Sequence, residues 1–224
     1  MGKLIVIDGT DGSGKQTQME MLENNLKKAG VDYKKTSFPN YDSPSSSLVK
    51  MYLSGDFGTD ADKISPYIAS TFYAADRYAT YKKELEEYYT NGGIILADRY
   101  TTANMVHQAG KIKNKAERKK FLDWLWDLEF NMYKIPIPTK VFFLNMPIDY
   151  SLKLMENRKN KFDNEATKDI HERNKSYLQE SYEAACELAK EYNWSEVKCV
   201  ENGKVRTRED IAEEIFEIVK EVLK

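Results

Sequence analysis

An apolar run followed at once by a glycine-rich segment constrains this chain more than any other feature. Residues 3–8 read KLIVID, which predicts a buried strand, and residues 9–16 read GTDGSGKQ. The stretch that opens with Lys15 has helical periodicity. A strand, a glycine-rich loop, a lysine and a helix in this order indicate a phosphate-binding loop, where backbone N–H groups and the helix N-terminus face an anion. A glycine-rich turn without a ligand is the less favoured interpretation.

The loop departs from the usual pattern at its last position, where Gln16 replaces a Ser or Thr whose hydroxyl coordinates Mg²⁺. Thr17 lies about 100° further round a helix and does not simply replace that hydroxyl. We therefore expect Mg²⁺ to depend on water, on the phosphates, or on a carboxylate such as Asp11 or Asp98. Lys15 is expected to reach the β- and γ-phosphates. The predicted ATP-binding residues of the loop are Gly9, Thr10, Asp11, Gly12, Ser13, Gly14, Lys15, Gln16 and Thr17.

Strand-like runs alternate with helical stretches along the whole chain. After residues 3–8 they recur at 93–98, 139–146 and 196–201, with a weaker run at 32–38. This alternation predicts a single α/β domain over residues 1–224, with a five-stranded parallel sheet covered by helices on both faces, the three-layer fold of P-loop NTPases. The aromatic-rich helix within 113–138 is interpreted as core, part of it at a subunit contact, and receives no catalytic role.

Composition argues against several partners. The formal net charge of −2 gives no overall basic field for nucleic acid. No apolar stretch approaches the roughly 20 residues needed to span a bilayer, and the N-terminus lacks the arrangement of a signal peptide. Cys186 and Cys199 have no metal-ligand spacing and are expected to be reduced thiols. We expect a cytoplasmic protein that binds small-molecule nucleotides, with no nucleic-acid or membrane partner.

A second anion site is predicted where the strand at 93–98 ends. Asp98 and Arg99 stand there, and ligands of open α/β sheets bind at the carboxyl ends of strands. The planar fork of Arg99 suits a phosphate, while Asp98 can hold Mg²⁺ or accept a proton; a surface ion pair is the alternative. Tyr73 and Arg77 share a helix face and can hold a flat heterocycle, although core aromatics often show the same spacing, as we expect for Phe72.

Taken together, these segments resemble those of thymidylate kinases, nearly end to end and in the family's motif order. The resemblance implies transfer of the γ-phosphate of ATP to dTMP with Mg²⁺, in a homodimer with a short mobile lid at about 157–167. The matching segments are GTDGSGKQTQ at 9–18, FPNY at 38–41, FYAADR at 72–77, DRYTTANMVHQAGK at 98–111 and ENRKNKFDNEATKDIHERN at 156–174.

The resemblance also implies roles for the acceptor-side residues. Arg99 binds the acceptor phosphate, Arg77 hydrogen-bonds the thymine edge and Asn104 reads the polar edge of the pyrimidine. Phe38 and Tyr73 are implied to pack on the ring, and His107 to lie beside the deoxyribose. Tyr41 and Asp11 are implied to lie near the transferred phosphoryl group, and Glu172 near the sugar and metal.

Three departures from the family pattern bear on mechanism. Besides Gln16, His107 stands where several members have Tyr or Phe, which leaves the exclusion of ribonucleotides open; a half-buried histidine without a ligand role is equally compatible. The loop interior has no arginine, so the catalytic cation is expected from the lid. Its candidates are Arg158, Lys159 and Lys161, of which Arg158 is favoured because a guanidinium spans two phosphate oxygens; a solvated charged loop is the alternative. Arg206 is expected to stack on adenine.

Other functions stay open at this point. One is a different nucleoside monophosphate kinase or a deoxynucleoside kinase, although the latter has less use for Arg99 because its acceptor carries no phosphate. Another is a nucleotide-binding protein that no longer catalyses, with Gln16 as the lesion. A GTPase is discounted, since the nearest match to its guanine motif, NKAE at 114–117, ends in Glu and lies in a charged helical stretch.

Overall fold

The described part of the chain is built around a parallel sheet. A computed structural model describes residues 1–58, 63–159 and 175–224, without the side chains of 156–159 and 175–177. The sheet has five strands in the order β2-β3-β1-β4-β5, all parallel, which agrees with the predicted fold class. Their bounds are β1 Lys3–Asp8, β2 Lys34–Ser37, β3 Ile94–Asp98, β4 Lys140–Asn145 and β5 Ser195–Lys198.

Helices cover both faces of this sheet. They are α1 Lys15–Lys28, α2 Ser47–Ser54, α3 Pro66–Thr80, α4 Glu86–Thr90, α5 Thr101–His107, α6 Lys115–Trp126, α7 Ile148–Lys159, α8 Lys175–Glu191 and α9 Arg208–Leu223. One π-helical turn, Tyr81–Leu85, links α3 to α4, and another, Asp127–Met132, extends α6. No helix in the described ranges is long and apolar enough to cross a membrane.

The central strand β1 shows why the sequence KLIVID has no polar alternation. Consecutive side chains of a strand point to opposite faces of the sheet. Ile5 and Ile7 pack in the core beside α1 and α9, whereas Leu4 and Val6 pack in the core of the other face. Because both faces are covered, every position between the ends of β1 is apolar.

The last predicted strand is wrong in its extent. The run 196–201 is not one strand: β5 ends at Lys198, and β6 (Val200–Glu201) pairs antiparallel with β7 (Lys204–Val205). Asn202 and Gly203 between them both have positive φ, as in the two-residue turn that favours Asn-Gly. The Asn-Gly dipeptide indicates this turn, whereas the apolar pattern alone does not.

The strand order brings three chain segments to one edge of the sheet. β2, β3 and β1 are neighbours, so the residues that follow them meet at their carboxyl ends. Backbone hydrogen bonds fix this edge: the N–H of Phe38 donates to the carbonyl of Asp98 at 3.1 Å, and that of Arg99 to the carbonyl of Ile7 at 3.2 Å. The phosphate loop and the predicted acceptor residues are therefore adjacent.

Candidate active site

The loop between β1 and α1 curls as a phosphate-binding loop does. Gly12 and Gly14 have φ of 76° and 90°, in the region that favours glycine. At Gly12 a Cβ atom would lie 2.8 Å from the carbonyl oxygen of Ser151 in α7, whereas at Gly14 it would meet no described atom within 4 Å. Backbone conformation therefore favours glycine at both positions, and packing against α7 also requires it at Gly12.

Lys15 closes the loop from inside. Its Nζ donates to the carbonyl oxygens of Gly9 at 2.8 Å and Thr10 at 2.9 Å. Burial and the nearby guanidinium of Arg99 lower the pKa of Lys15 to about 8. The hydroxyls of Thr10 and Ser13 are buried and make no hydrogen bond within the described part of the chain. The loop thus holds an ammonium bound by its own carbonyls and two buried hydroxyls without a described partner.

Gln16 takes no part in this arrangement. Its side chain is exposed and its Nε2 donates to Oε1 of Glu20, one turn further along α1, at 3.1 Å. In this conformation the amide of Gln16 is engaged on α1, and the ligands of Mg²⁺ stay a prediction.

Asp8, the last residue of β1, is a site residue that the sequence analysis missed. Its side chain is buried, Oδ1 accepts from the N–H of Gly9 at 2.8 Å, and Oδ2 accepts from the hydroxyl of Thr102. Burial raises the pKa of Asp8, while Arg99 and Thr102 act in the opposite direction. A carboxylate that ends a buried strand directly before a glycine-rich loop was the available signal.

Arg99 connects the loop to the neighbouring wall. Its Nη2 is bound to Oδ1 of Asp11, and its Nη1 lies 2.8 Å from Nε2 of His107. A guanidinium only donates, so this nitrogen of His107 accepts. Arg99 has a φ of 64°, unusual for a side chain with a Cβ and typical of strained functional positions. Although burial acts the other way in each case, the pair lowers the pKa of Asp11 and raises that of Arg99.

A cavity of about 280 Å³ opens beside this pair. The segment after β2, the inner faces of α3 and α5, and the end of β3 line it. The structure brings together here all described residues of the predicted dTMP site and the two predicted metal carboxylates: Phe38, Tyr41, Tyr73, Arg77, Arg99, Asn104, His107, Asp11 and Asp98.

The aromatic wall of the cavity is preorganised. Phe38 is buried and contacts Tyr100 edge-on, with ring centroids 5.6 Å apart. Tyr73 packs edge-on against Tyr52 at 6.1 Å, and Tyr41 is half exposed at the mouth. A flat ring entering the cavity meets surfaces whose orientation is already fixed.

The polar wall carries one residue that the sequence analysis overlooked. Gln108 is buried, lines the cavity, and its Oε1 has no hydrogen-bond partner in the described ranges. The side-chain amide of Asn104 donates to the carbonyl of Ser70 at 3.4 Å. Gln108 follows directly after His107, so its place in the segment 98–111 was the available signal.

Arg77 is more constrained than the sequence suggested. It is buried, and its Nε and Nη2 donate to the two carboxylate oxygens of Glu129, both at 2.6 Å. Its Nη1 donates to the carbonyl of Tyr100 at 3.4 Å. Glu129 lies on the segment that was interpreted only as core, so the sequence analysis also missed the buried partner of Arg77.

Arg206 lies elsewhere, between β7 and α9. Its Nη1 donates to the carboxylate of Glu214 at 2.6 Å and to the carbonyl of Lys198 at 2.9 Å. It does not line the cavity described above. Four predicted residues lie outside the description: Lys161 and Glu172 fall in 160–174, and the side chains of Arg158 and Lys159 are not described.

A sequence profile of the thymidylate kinases matches residues 7–211, from the end of β1 into the first turn of α9. The chain belongs to the thymidylate kinase family. The probable thymidylate kinase of Thermococcus onnurineus (strain NA1) is 31% identical over 163 residues, which cover 71% of this chain and 75% of that protein. The thymidylate kinase of Plasmodium falciparum (isolate 3D7) is 26% identical over 183 residues, or 81% of this chain and 80% of the other.

A solved structure of thymidylate kinase from Candida albicans has the same fold, with a TM-score of 0.72 at 20% identity over 100% of this chain and 94% of that chain. Membership of the thymidylate kinase family confirms the predicted resemblance and enzyme class, a kinase of thymidylate with ATP as phosphoryl donor. The fold class is confirmed as well. The roles of individual residues stay predictions.

Proposed function

We propose that this thymidylate kinase transfers the γ-phosphoryl group of ATP to dTMP, giving dTDP, at the junction of the phosphate loop and the cavity. The observation that carries the proposal is the position of Arg99, which contacts Asp11 of the loop and also lines the cavity. Phosphoryl transfer depends on alignment and on charge neutralisation. A cation shared by the donor loop and the acceptor site is placed to serve both.

On the donor side, Lys15 exchanges the carbonyl oxygens of Gly9 and Thr10 for phosphate oxygens of ATP. Its ammonium is partly buried beside the guanidinium of Arg99, and both effects lower its pKa, so an incoming polyanion favours its charged form. The N–H groups of the loop and the N-terminal end of α1 add partial positive charge. The hydroxyls of Thr10 and Ser13 supply hydrogen bonds.

The described carboxylates fit Mg²⁺ as a partner of the bound nucleotide. Oδ1 of Asp98 is buried without a hydrogen-bond partner in the described chain, whereas Oδ1 of Asp11 is bound to Arg99. We therefore propose Asp98 as the principal ligand. No group of three or more potential ligand residues occurs among the described residues, which suits an ion held by one or two carboxylates, water and phosphates. Bound there, Mg²⁺ supplies charge neutralisation for the transferred group.

On the acceptor side, the fork of Arg99 binds the phosphate of dTMP and holds an oxygen in line with the donor. Phe38 and Tyr73 pack on the thymine ring. The base edge meets Arg77, Asn104 and the amide oxygen of Gln108. Since this oxygen has no hydrogen-bond partner in the described ranges, it is placed to accept an N–H of the ligand. The cavity, about 280 Å³, is of a size for one pyrimidine nucleotide.

Two predicted attributes extend the proposal. A homodimer is supported by exposed apolar side chains on α2 and α3: Leu48, Met51, Tyr67 and Ile68. Light scattering coupled to size exclusion tests it. We also propose a cytoplasmic location, which cell fractionation tests.

The function is tested by separating the products of the wild-type protein with ATP and dTMP by ion-exchange chromatography. We expect equal amounts of ADP and dTDP, and loss of both when EDTA removes Mg²⁺. The absence of dTDP under conditions where ATP binds would contradict the proposal and favour a nucleotide-binding protein without catalysis.

A further inference from the structure

We propose that Glu129 is a positioning residue for acceptor recognition, which holds Arg77 so that its free N–H groups face a carbonyl edge of the pyrimidine. The inference rests on the proposed function and extends it to a residue outside the recognised motifs.

Glu129 and Arg77 form an ion pair with two hydrogen bonds. Glu129 is fully buried, and each of its carboxylate oxygens accepts one N–H of Arg77 at 2.6 Å. Two parallel hydrogen bonds between planar groups fix the rotation of the guanidinium, which a single contact does not. The hydroxyl of Thr101 donates to Oε2 of Glu129 at 2.9 Å and holds the carboxylate in turn.

The guanidinium of Arg77 has more N–H donors than its described contacts use. A guanidinium has five N–H groups. Glu129 accepts from Nε and Nη2, and the carbonyl of Tyr100 accepts from Nη1. Two N–H groups, one on each Nη, therefore have no acceptor among the described residues. Arg77 lines the cavity, so this pair is the part of the side chain that a substrate can use.

The contacts of Glu129 join residues from three different elements of the fold. Glu129 lies in the π-helical turn that follows α6, Arg77 lies on α3, and Thr101 opens α5. One buried carboxylate thus ties together three elements. α5 also carries Asn104, and Gln108 follows directly after it, so the same anchor sets the position of the whole polar edge of the cavity relative to Arg77.

Glu129 also affects the charge of Arg77. Burial lowers the pKa of Arg77, but the carboxylate of Glu129 raises it above the ordinary value, so Arg77 is charged when it meets the base. Two outward N–H groups favour a carbonyl oxygen and oppose an amino group, whose hydrogens would face them. A held Arg77 therefore favours dTMP over dCMP, and a loosened one discriminates less.

The test compares wild-type protein with Glu129→Gln and Thr101→Val, measuring kcat and the KM values for dTMP, dCMP and ATP separately. Glu129→Gln replaces one acceptor oxygen with a donor that faces Arg77. Thr101→Val keeps both charges and removes one hydrogen bond, so it tests the same anchor if Glu129→Gln does not fold. We expect KM for dTMP to rise at least about 10-fold in the first and about 3-fold in the second, with KM for ATP within about 2-fold of wild type.

A matched control is Glu187→Gln, the same substitution in the Arg118–Glu187 pair between α6 and α8, 2.8 Å apart and remote from the cavity. It is expected to leave all three KM values unchanged. The preference for dTMP over dCMP is expected to fall with Glu129→Gln and to recover in part with Glu129→Asp, which restores the charge.

The outcomes separate this inference from the function on which it rests. A wild-type protein that does not phosphorylate dTMP overturns both. An active wild-type protein with KM for dTMP unchanged in Thr101→Val and in any folded Glu129→Gln protein overturns the positioning role alone. Equal changes in the KM for dTMP and ATP would also overturn it, because a purely structural ion pair weakens both sites together.

Discussion

Arg99 is bound through its guanidinium to the carboxylate of Asp11, 88 positions earlier in the chain, and the two residues follow neighbouring strands of the sheet. The other arm of the same guanidinium contacts His107. One cation therefore touches the glycine-rich loop and lines the neighbouring cavity, a position suited to charge neutralisation between two bound phosphates.

Replacement of Arg99 by Ala is expected to weaken acceptor binding more than donor binding. The KM for dTMP should rise by at least about 10-fold more than the KM for ATP, since the side chain lines the cavity and, among the described residues, its hydrogen bond to the loop is with Asp11. Initial-rate kinetics with each substrate varied in turn measure the two constants. Arg99→Lys serves as the control and is expected to recover only part of the loss, because it keeps the charge but not the planar fork. Equal losses for dTMP and ATP would contradict the assigned role.

Loss of the ammonium in Lys15→Ala is expected to abolish measurable transfer. Removal of one preorganised charge at the transferred group costs at least about 100-fold in kcat. Steady-state kinetics measure the loss of kcat. Calorimetric titration with dTMP should show an affinity for dTMP within about 3-fold of wild type. Lys27→Ala, in the last turn of α1, is the matched control and should be fully active. Near-normal turnover of Lys15→Ala would remove the loop from the mechanism.

We expect the affinity for ATP to fall at alkaline pH because Lys15 loses its charge. Burial and Arg99 lower its pKa to about 8, so the free protein loses this charge as the pH rises through that value. The phosphates of ATP favour the charged form, so binding takes up a proton and affinity falls as the pH rises above about 8. Calorimetry in two buffers of different ionisation enthalpy measures the uptake.

The control for this pH dependence is Lys15→Arg, whose guanidinium stays charged throughout the range. Its ATP affinity should be flat where that of wild type falls. A wild-type affinity that does not change between about pH 7 and about pH 9, or a fall of the same size in Lys15→Arg, would show that another group is responsible.

Two glycines of the loop are expected to differ in their tolerance of a methyl group. Gly14→Ala meets only the cost of a left-handed backbone, about 1–2 kcal/mol, because no described atom lies within 4 Å of the added carbon. Gly12→Ala meets a similar cost and also a contact of 2.8 Å with the carbonyl of Ser151. Thermal unfolding and ATP titrations of both variants should therefore show the larger loss at Gly12. A Gly14→Ala protein that loses as much ATP affinity as Gly12→Ala would mean that the packing against α7 is unimportant.

The sheet and the loop were predictable because each is a local pattern. The continuous apolar runs of β1, β3 and β4 indicate strands covered on both faces, and the glycine loop with Lys15 is contiguous in sequence. The β6–β7 hairpin was missed because it is set by turn chemistry at Asn202 and Gly203 rather than by hydrophobicity.

The buried polar partners could not be read from the sequence in the same way. Glu129 and Arg77 are 52 positions apart, and nothing in an aromatic-rich helix indicates which of its acidic residues faces inward. The π-helical turn Asp127–Met132 shifts that helix's faces relative to an ideal period, so a helical wheel misplaces its residues. Asp8 was closer to recognition, since it adjoins the loop, but its bond to Thr102 depends on the fold.

An ADP-release assay with a panel of acceptors tests the central claim most directly. The wild-type protein is supplied with ATP and Mg²⁺ and with dTMP, dUMP, UMP, dAMP, thymidine or no acceptor. We predict strong release with dTMP and little with thymidine, because Arg99 needs an acceptor phosphate; the UMP reaction also reports whether a site with His107 excludes a ribose. Release with thymidine as strong as with dTMP, or no release above background with any acceptor while ATP binds, would contradict the account.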